Sequence, residues 1–221
     1  MSGDGPNSSG TNVYQSLDSA IAVADAVATE FIRRAAPIRF RVAQSAAELE
    51  AVYRLRYQVV VERGWADSED FPTNLEQDIY DGQGIAVIGQ DGATVVATNR
   101  LTLPAAGRLL PTEVEFGLKI EPQGRVVDGG RAIVDKAYSD HQHRIFAGLL
   151  GQNWFEIKAR GFYYLCGLAS AAMIRLCRSL GYQITILGPA RQYWGEWRYP
   201  IRFDVLESTP LLWTRWVQPT S

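Results

Sequence analysis

The chain has 221 residues, 47% of them hydrophobic, which suits one compact domain with a small appended segment. A formal charge of −2 and a pI near 5.8 lack the basic footprint that neutralising phosphates requires, so nucleic acid is not an expected partner. The first apolar run, residues 21–27, is interrupted by Asp25 and preceded by no Lys or Arg, so neither a signal peptide nor a membrane span is readable and a cytoplasmic location is expected.

Residues 1–16 are rich in Gly, Ser and Asn and are expected to be disordered. Leu17, Ile21, Ala24, Val27 and Phe31 then recur at helical spacing until Pro37, predicting an amphipathic N-terminal helix over 17–36 ahead of a domain over 37–221. Ile38, Phe40 and Val42 alternate as a strand, and Ser45 with Glu48 reads as a capping box opening a helix to about Gly64. An acidic stretch, 66–83, has no periodicity. Residues 85–89 and 94–103 flank Asp91-Gly92, a hairpin signal, and the next strand, 125–134, carries Gly129-Gly130, which suggests a bulge or a close backbone approach. A helix opened by Ser139 and Gln142 and closed before Gly161 follows, then a strand over 162–168, a helix over 170–181 and strands at 182–188, 197–206 and 211–217. This order predicts an α/β (α+β) fold with a mixed, mostly antiparallel central sheet flanked by helices. Cys166 and Cys177 lie in apolar runs and read as reduced core thiols.

The informative residue is Arg56. It lies seven residues after Leu49, four after Val52 and four before Val60, on the core-facing stripe of its own helix. A buried guanidinium stays charged, so carboxylates must fold over it. Glu76, Asp78 and Asp81 are the nearby supply, and Arg100, Asp128 and Arg131 sit in stretches otherwise written for a sheet interior. The pattern places three arginines and up to four carboxylates on one side of the sheet; the bland alternative is a set of separate solvated ion pairs. No EF-hand spacing is present in the acidic stretch, and no metal site is expected.

Arg56, Trp65 nine residues on, Glu76-x-Asp78-x-x-Asp81, Asn99-Arg100-Leu101, Phe116-Gly117-Leu118 and Asp128-x-x-Arg131 together resemble the motif series of the acyl-homoserine lactone synthases. The resemblance covers about residues 38–135, with Val60 where that family usually carries an aromatic residue and Asp128 where it usually carries Glu. The C-terminal half looks more like the related N-acyl amino acid synthases, especially the long-chain N-acyltyrosine synthases. The resemblance implies the GNAT acyltransferase fold, an acyl carrier protein thioester as donor and an amino acid, tyrosine in particular, as acceptor. It also implies that Arg56, Trp65, Asp78, Arg100 and Arg131 shape the acceptor side of the site.

Amide formation from a thioester needs a neutral amine and a held oxyanion. With His141 and His143 the only histidines, no Ser-His-Asp or Cys-His arrangement is evident, and direct attack by the amine is the simpler route. Asp128 is the first candidate base, with Glu115 and Asp81 behind it, and backbone N–H groups around Ala132, Ile133 and Val134 are candidates for the oxyanion. Residues 136–148 lack the glycine spacing with which acetyl-CoA enzymes of this superfamily cradle a pyrophosphate, as a carrier-linked pantetheine arm would allow. Lys136, His141, His143, Arg144, Lys158 and Arg160 are candidates to meet an acidic carrier surface, or form an ordinary solvated face. Trp154, Phe155, Phe162, Tyr164, Leu168 and Met173 are candidates to line an acyl-chain tunnel, or are core. The run 191–200, RQYWGEWRYP, is dense in aromatics and Arg and either encloses an acceptor or closes the sheet edge. The expected activity is transfer of a long acyl group to the α-amino group of an amino acid, with no resident cofactor. Its rivals are an acyl-homoserine lactone synthase using S-adenosylmethionine, an acetyl-CoA-dependent acetyltransferase and a catalytically silent acyl-carrier-binding module.

Overall fold

The structure, a computed structural model, describes residues 16–139 and 143–218. The N-terminal stretch expected to be disordered, except Ser16, together with His141 and Gln142, lies outside the described residues. The chain runs α1 (Leu17–Arg34), β1 (Arg39–Val42), α2 (Ala46–Glu62), β2 (Ile85–Asp91), β3 (Thr94–Thr102), α3 (Pro111–Phe116), β4 (Val126–Val134), α4 (Arg144–Lys158), β5 (Tyr164–Ser170), α5 (Ala171–Leu180), β6 (Ile184–Ile186), β7 (Arg191–Tyr193), β8 (Glu196–Asp204) and α6 (Thr209–Leu212). Among the described residues these strands form one sheet, ordered β1-β2-β3-β4-β5-β8-β6, with β7 also paired to β8. Every pairing is antiparallel except β4 with β5.

Helices cover both faces because strand alternation makes both apolar. On one face α1, α4 and α5 bury Val27, Phe31, Leu149, Ile157, Ile174 and Cys177 against Val127, Leu165 and Ile201 of the sheet. On the other, α2 sets Val52, Leu55 and Val59 over Ile88, Val95 and Ile133, and α3 closes a smaller cluster around Leu110, Val126 and Cys166. Both cysteines are free and buried. No helix among the described residues is long and apolar enough to cross a membrane.

Several local readings are corrected. Residues 211–217, expected as a strand, form the end of α6 and a π-helical turn, Trp213–Val217. Their apolar spacing serves packing on α1, where the Trp216 ring meets Phe31 edge-on at 4.9 Å and its indole N–H donates to the Leu180 carbonyl at 2.7 Å. The helix expected to open at Ser139 begins at Arg144, preceded by a single 3-10 turn, Lys136–Tyr138. Ser45 caps α2 as expected, and the Glu48 carboxylate also accepts from the Gln44 N–H and pairs with Arg41. The short helix α3 adds to the expected elements: Pro111 starts it, Glu113 accepts from the Leu110 N–H at 2.8 Å and Gly117 ends it in the left-handed region.

Candidate active site

Arg56 is 1% exposed, on the α2 stripe between Val52 and Val60. Its Nε donates to Glu76 and its two Nη atoms fork onto Asp81 at 2.7 and 3.1 Å. Glu76 is placed by its own N–H, which donates to the Tyr53 carbonyl of α2 at 3.1 Å. The segment then folds on itself, the Asp78 N–H donating to Asp81 at 2.7 Å. Arg100, from β3, reaches Asp78 at 2.5 Å and Asp81 at 3.1 Å. It passes so close to Gly84 that a Cβ there would lie 2.8 Å from its Cγ. Arg131, from β4, donates to Glu76 and Asp78, each at 3.0 Å, and to the Tyr193 hydroxyl at 3.3 Å.

Three guanidiniums therefore meet three carboxylates in one network, and the formal charges cancel. Burial works against the ionised form of Asp81, yet the Arg56 fork holds its carboxyl below the usual range. Burial likewise opposes the charge on Arg131, and Glu76, Tyr193 and Asp78 hold its pKa above the usual arginine value. Of the carboxylates expected in the cluster, Asp128 stands apart. It accepts from the Thr112 N–H at 2.8 Å and lies 3.7 Å from the Cys166 sulfur, buried beneath α3. Burial pushes its carboxyl above the usual range. Tyr80 connects the two zones: Arg100 lies 5.5 Å from its ring, and burial, then Asp78, Glu115 and Asp128, push its hydroxyl pKa up.

The sheet itself opens here. In β3–β4 pairing, Thr98 faces Ile133 and Arg100 faces Gly130, so Asn99 opposes both Arg131 and Ala132. That is a bulge, directly after Gly129-Gly130, and Arg131 takes a positive φ of 56° to make it. Ala132 is exposed, Ile133 packs under α2 and Val134 faces a cleft, so only their main chain is available to an oxyanion. On the other edge β4 pairs with β5 over only three positions, 126–128 with 164–166, after which the strands part. Gly167 marks the fork: a Cβ there would sit 2.5 Å from the Gly129 carbonyl oxygen. A splayed parallel pair exposes unpaired backbone groups along both diverging edges.

The β7–β8 hairpin forms an outer wall. Its turn is Trp194-Gly195, with φ of 51° and 66°, the two positive values of a type I′ turn. A Trp in that conformation is strained by about 1–3 kcal/mol; it is held by stacking on Arg131, whose guanidinium lies 4.3 Å from the ring. Trp65 stands beside it, flanked by Arg63 at 4.9 Å and Arg198 at 4.7 Å. A cleft of 520 Å³ is lined by Trp65, Asp67, Asp70, Phe71 and Trp194 among others. A second, of 340 Å³, runs past Arg63, Trp65, Val134, Lys136 and Glu196. Tyr193, Trp194 and Arg198 were not singled out individually from sequence; Gly195 between aromatic residues was the available turn signal.

The other expected groups are not brought together. Trp154 is buried against α1 with its indole N–H on Asp25 at 2.8 Å, and Phe155, Phe162 and Met173 pack on that same face. Tyr164 packs beneath α3 on the opposite face, which strand alternation assigns to Leu168 as well. The six cannot line one tunnel. The basic residues also divide. Lys136 lines the second cleft, and His143 and Arg144 start α4, whereas Lys158 and Arg160 lie at its other end, about 20 Å away. Lys158 is paired with Asp25 and Arg160 with Glu156. Glu115 is exposed on α3. Among the described residues no group of three or more His, Cys, Asp or Glu is placed to hold a metal ion.

No protein-family model and no curated protein matches the chain. Solved structures do. The acyl-homoserine lactone synthase LasI is similar with a TM-score of 0.66 at 16% identity, over 83% of this chain and 98% of that one. The CoA-dependent acyl-homoserine lactone synthase MesI gives 0.64 at 18% identity, over 83% and 97%. FeeM, an N-acyl amino acid synthase from uncultured soil microbes, gives 0.63 at 16% identity, over 82% and 98%. At such identities the likeness establishes the fold. The chain has the GNAT-like fold that these synthases share, with α1 in front of it.

Proposed function

We propose that this protein is an N-acyltransferase that moves a long acyl group from an acyl carrier protein thioester to the α-amino group of an amino acid, tyrosine first among the candidates. The observation that carries the reading is the fork between β4 and β5, bordered by a charge-neutral Arg56, Arg100 and Arg131 network and walled by Trp65 and Trp194. A thioester arm laid in the fork would meet the free main chain of the bulge at 131–134, which suits an oxyanion. An amine arriving from the aromatic side would attack directly. Asp128 supports the role of base, because burial raises its carboxyl above the usual range and so makes it a better proton acceptor when ionised. Lys136, His143 and Arg144 lie at the end of the molecule where the chain leaves the fork, and an acidic carrier would approach there.

A second reading, lactone synthesis from S-adenosylmethionine, is favoured by the 520 Å³ cleft, whose Trp65, Phe71 and Trp194 rings stand with Asp67 and Asp70. Aromatic faces and carboxylates suit a cationic ligand. One experiment separates the readings: incubate the protein with long-chain acyl carrier protein or the matching acyl-CoA, together with tyrosine, other amino acids or S-adenosylmethionine, and weigh the products. An N-acyl amino acid from the carrier-linked donor is expected. A lactone as the sole product rejects the first reading.

A further inference from the structure

We infer that Arg198 is the residue that receives the acceptor's carboxylate, making this a site for carboxylate-bearing amines. The inference rests on the acyl-transfer reading for the identity of the ligand, and on the following geometry for the residue.

The arginines expected to grip an acceptor are already committed. Arg56 and Arg131 use Nε and both Nη atoms on Glu76, Asp78, Asp81 and Tyr193. Arg100 has a buried Nε without a partner, but its side chain is sealed between Tyr80 and Gly84. Arg198 shares the unpartnered Nε of Arg100 but not its enclosure. Its Nε is buried and unpartnered, while its side chain keeps 17% of its surface open. Its one ion pair among the described residues, with Glu196 two residues earlier on the same strand, is long at 3.4 Å, and the Glu196 side chain is itself 38% exposed.

The guanidinium lies 4.7 Å from the Trp65 ring. Stacking occupies the faces of a guanidinium and leaves its in-plane N–H edge for a two-pronged carboxylate contact. Position agrees with this. Arg198 pairs with Ser170 at the parted end of β5, and even spacing from Arg202, which stacks on Tyr164, sets it on the sheet face that carries the network. Burial, with Arg131 and Arg63 nearby, outweighs Glu196 and Tyr193 and holds its pKa below the usual arginine value, so an arriving anion adds to an incomplete pairing.

The test uses three pairs that differ only in the carboxylate: tyrosine and tyramine, phenylalanine and phenethylamine, S-adenosylmethionine and its decarboxylated form. Binding to the full chain and to Arg198→Met is measured by calorimetry, with KM added wherever turnover is found. The parent should prefer the acid over the amine in at least one pair by about 10- to 100-fold. Arg198→Met should erase that gap, leave affinity for the amine within about twofold, and Arg198→Lys should restore part of it. Absence of a gap in all three pairs, or a gap that survives in Arg198→Met, overturns the assignment. If the gap depends on Arg198 while no acyl transfer occurs, the carboxylate site stands and the acyl-transfer reading falls. Transfer with an undiminished gap in the variant removes only Arg198.

Discussion

At Arg56 the chain accepts a large risk for placement. The guanidinium sits on an apolar helix stripe and is stable there only because Glu76 and Asp81 neutralise it. Removing one partner of a buried pair costs about 3–5 kcal/mol, since the carboxylates left behind stay buried. Arg56→Met should lower stability by that amount in urea unfolding; a change under about 1 kcal/mol would mean that the pair is solvated. Asp128 carries the opposite sign. Its folded pKa is raised, so its contribution is complete below the ordinary carboxylate value and is lost as pH rises through the folded value. Asp128→Asn should therefore match the parent near pH ~3 and be the more stable of the two at higher pH, in thermal melts across that range. As base, its loss should lower turnover about 10²- to 10⁴-fold. Arg56 was legible in the sequence because a charge interrupts an apolar period. Arg198 was not, since a short strand rich in aromatics and arginine carries no period against which one residue stands out, and its role depends on Trp65, more than a hundred residues earlier in the chain.

Among the elements, the fork between β4 and β5 is the most constrained. Gly167→Ala would drive a methyl group to 2.5 Å from the Gly129 carbonyl oxygen, which is backbone and cannot rotate away. The strands must spread, so a loss of about 1–3 kcal/mol is expected by urea unfolding. A larger fractional loss of acyl transfer than Gly151→Ala produces, on α4 against the Ala28 carbonyl, would localise the effect to the fork. The hairpin β2–β3 and the bulge after Gly129-Gly130 could be read directly, because Asp91-Gly92 and paired glycines carry local backbone requirements. The last segment could not. Leu212, Trp213 and Trp216 are apolar and bulky, which fits strand or helix alike over so few residues. The choice is made by α1, whose Phe31 and Arg34 receive Trp216 at 4.9 and 4.8 Å. An aromatic segment takes the form of the surface available to it.

For the whole molecule, charge pairing on the surface contributes to the acid limit. Glu30, forked by Arg33 and Arg34, and Glu48, held by Arg41, have carboxyl pKa values lowered from 4.5 to about 2. Depressed values mean that these pairs contribute fully above pH 4.5 and lose that contribution as pH falls toward about 2. The melting temperature should decline through that window. Glu30→Gln with Glu48→Gln should lower it at neutral pH and flatten the decline. Both sites are exposed, so added salt should shrink the difference. An unchanged pH profile in the double variant would shift the acid limit to the buried network.

The network also bears on how the chain finds its fold. Its contacts join residues 20, 22, 55 and 62 positions apart. Such closures form late, after local helices and hairpins. A slip of β3 against β4 by one residue would put Arg100 and Arg131 on opposite faces, leaving one guanidinium in the apolar layer under α4 and carboxylates stranded beneath α2. The same charges that prepare a site for chemistry thus proofread strand alignment, penalising compact misfolds that an all-apolar sheet would tolerate.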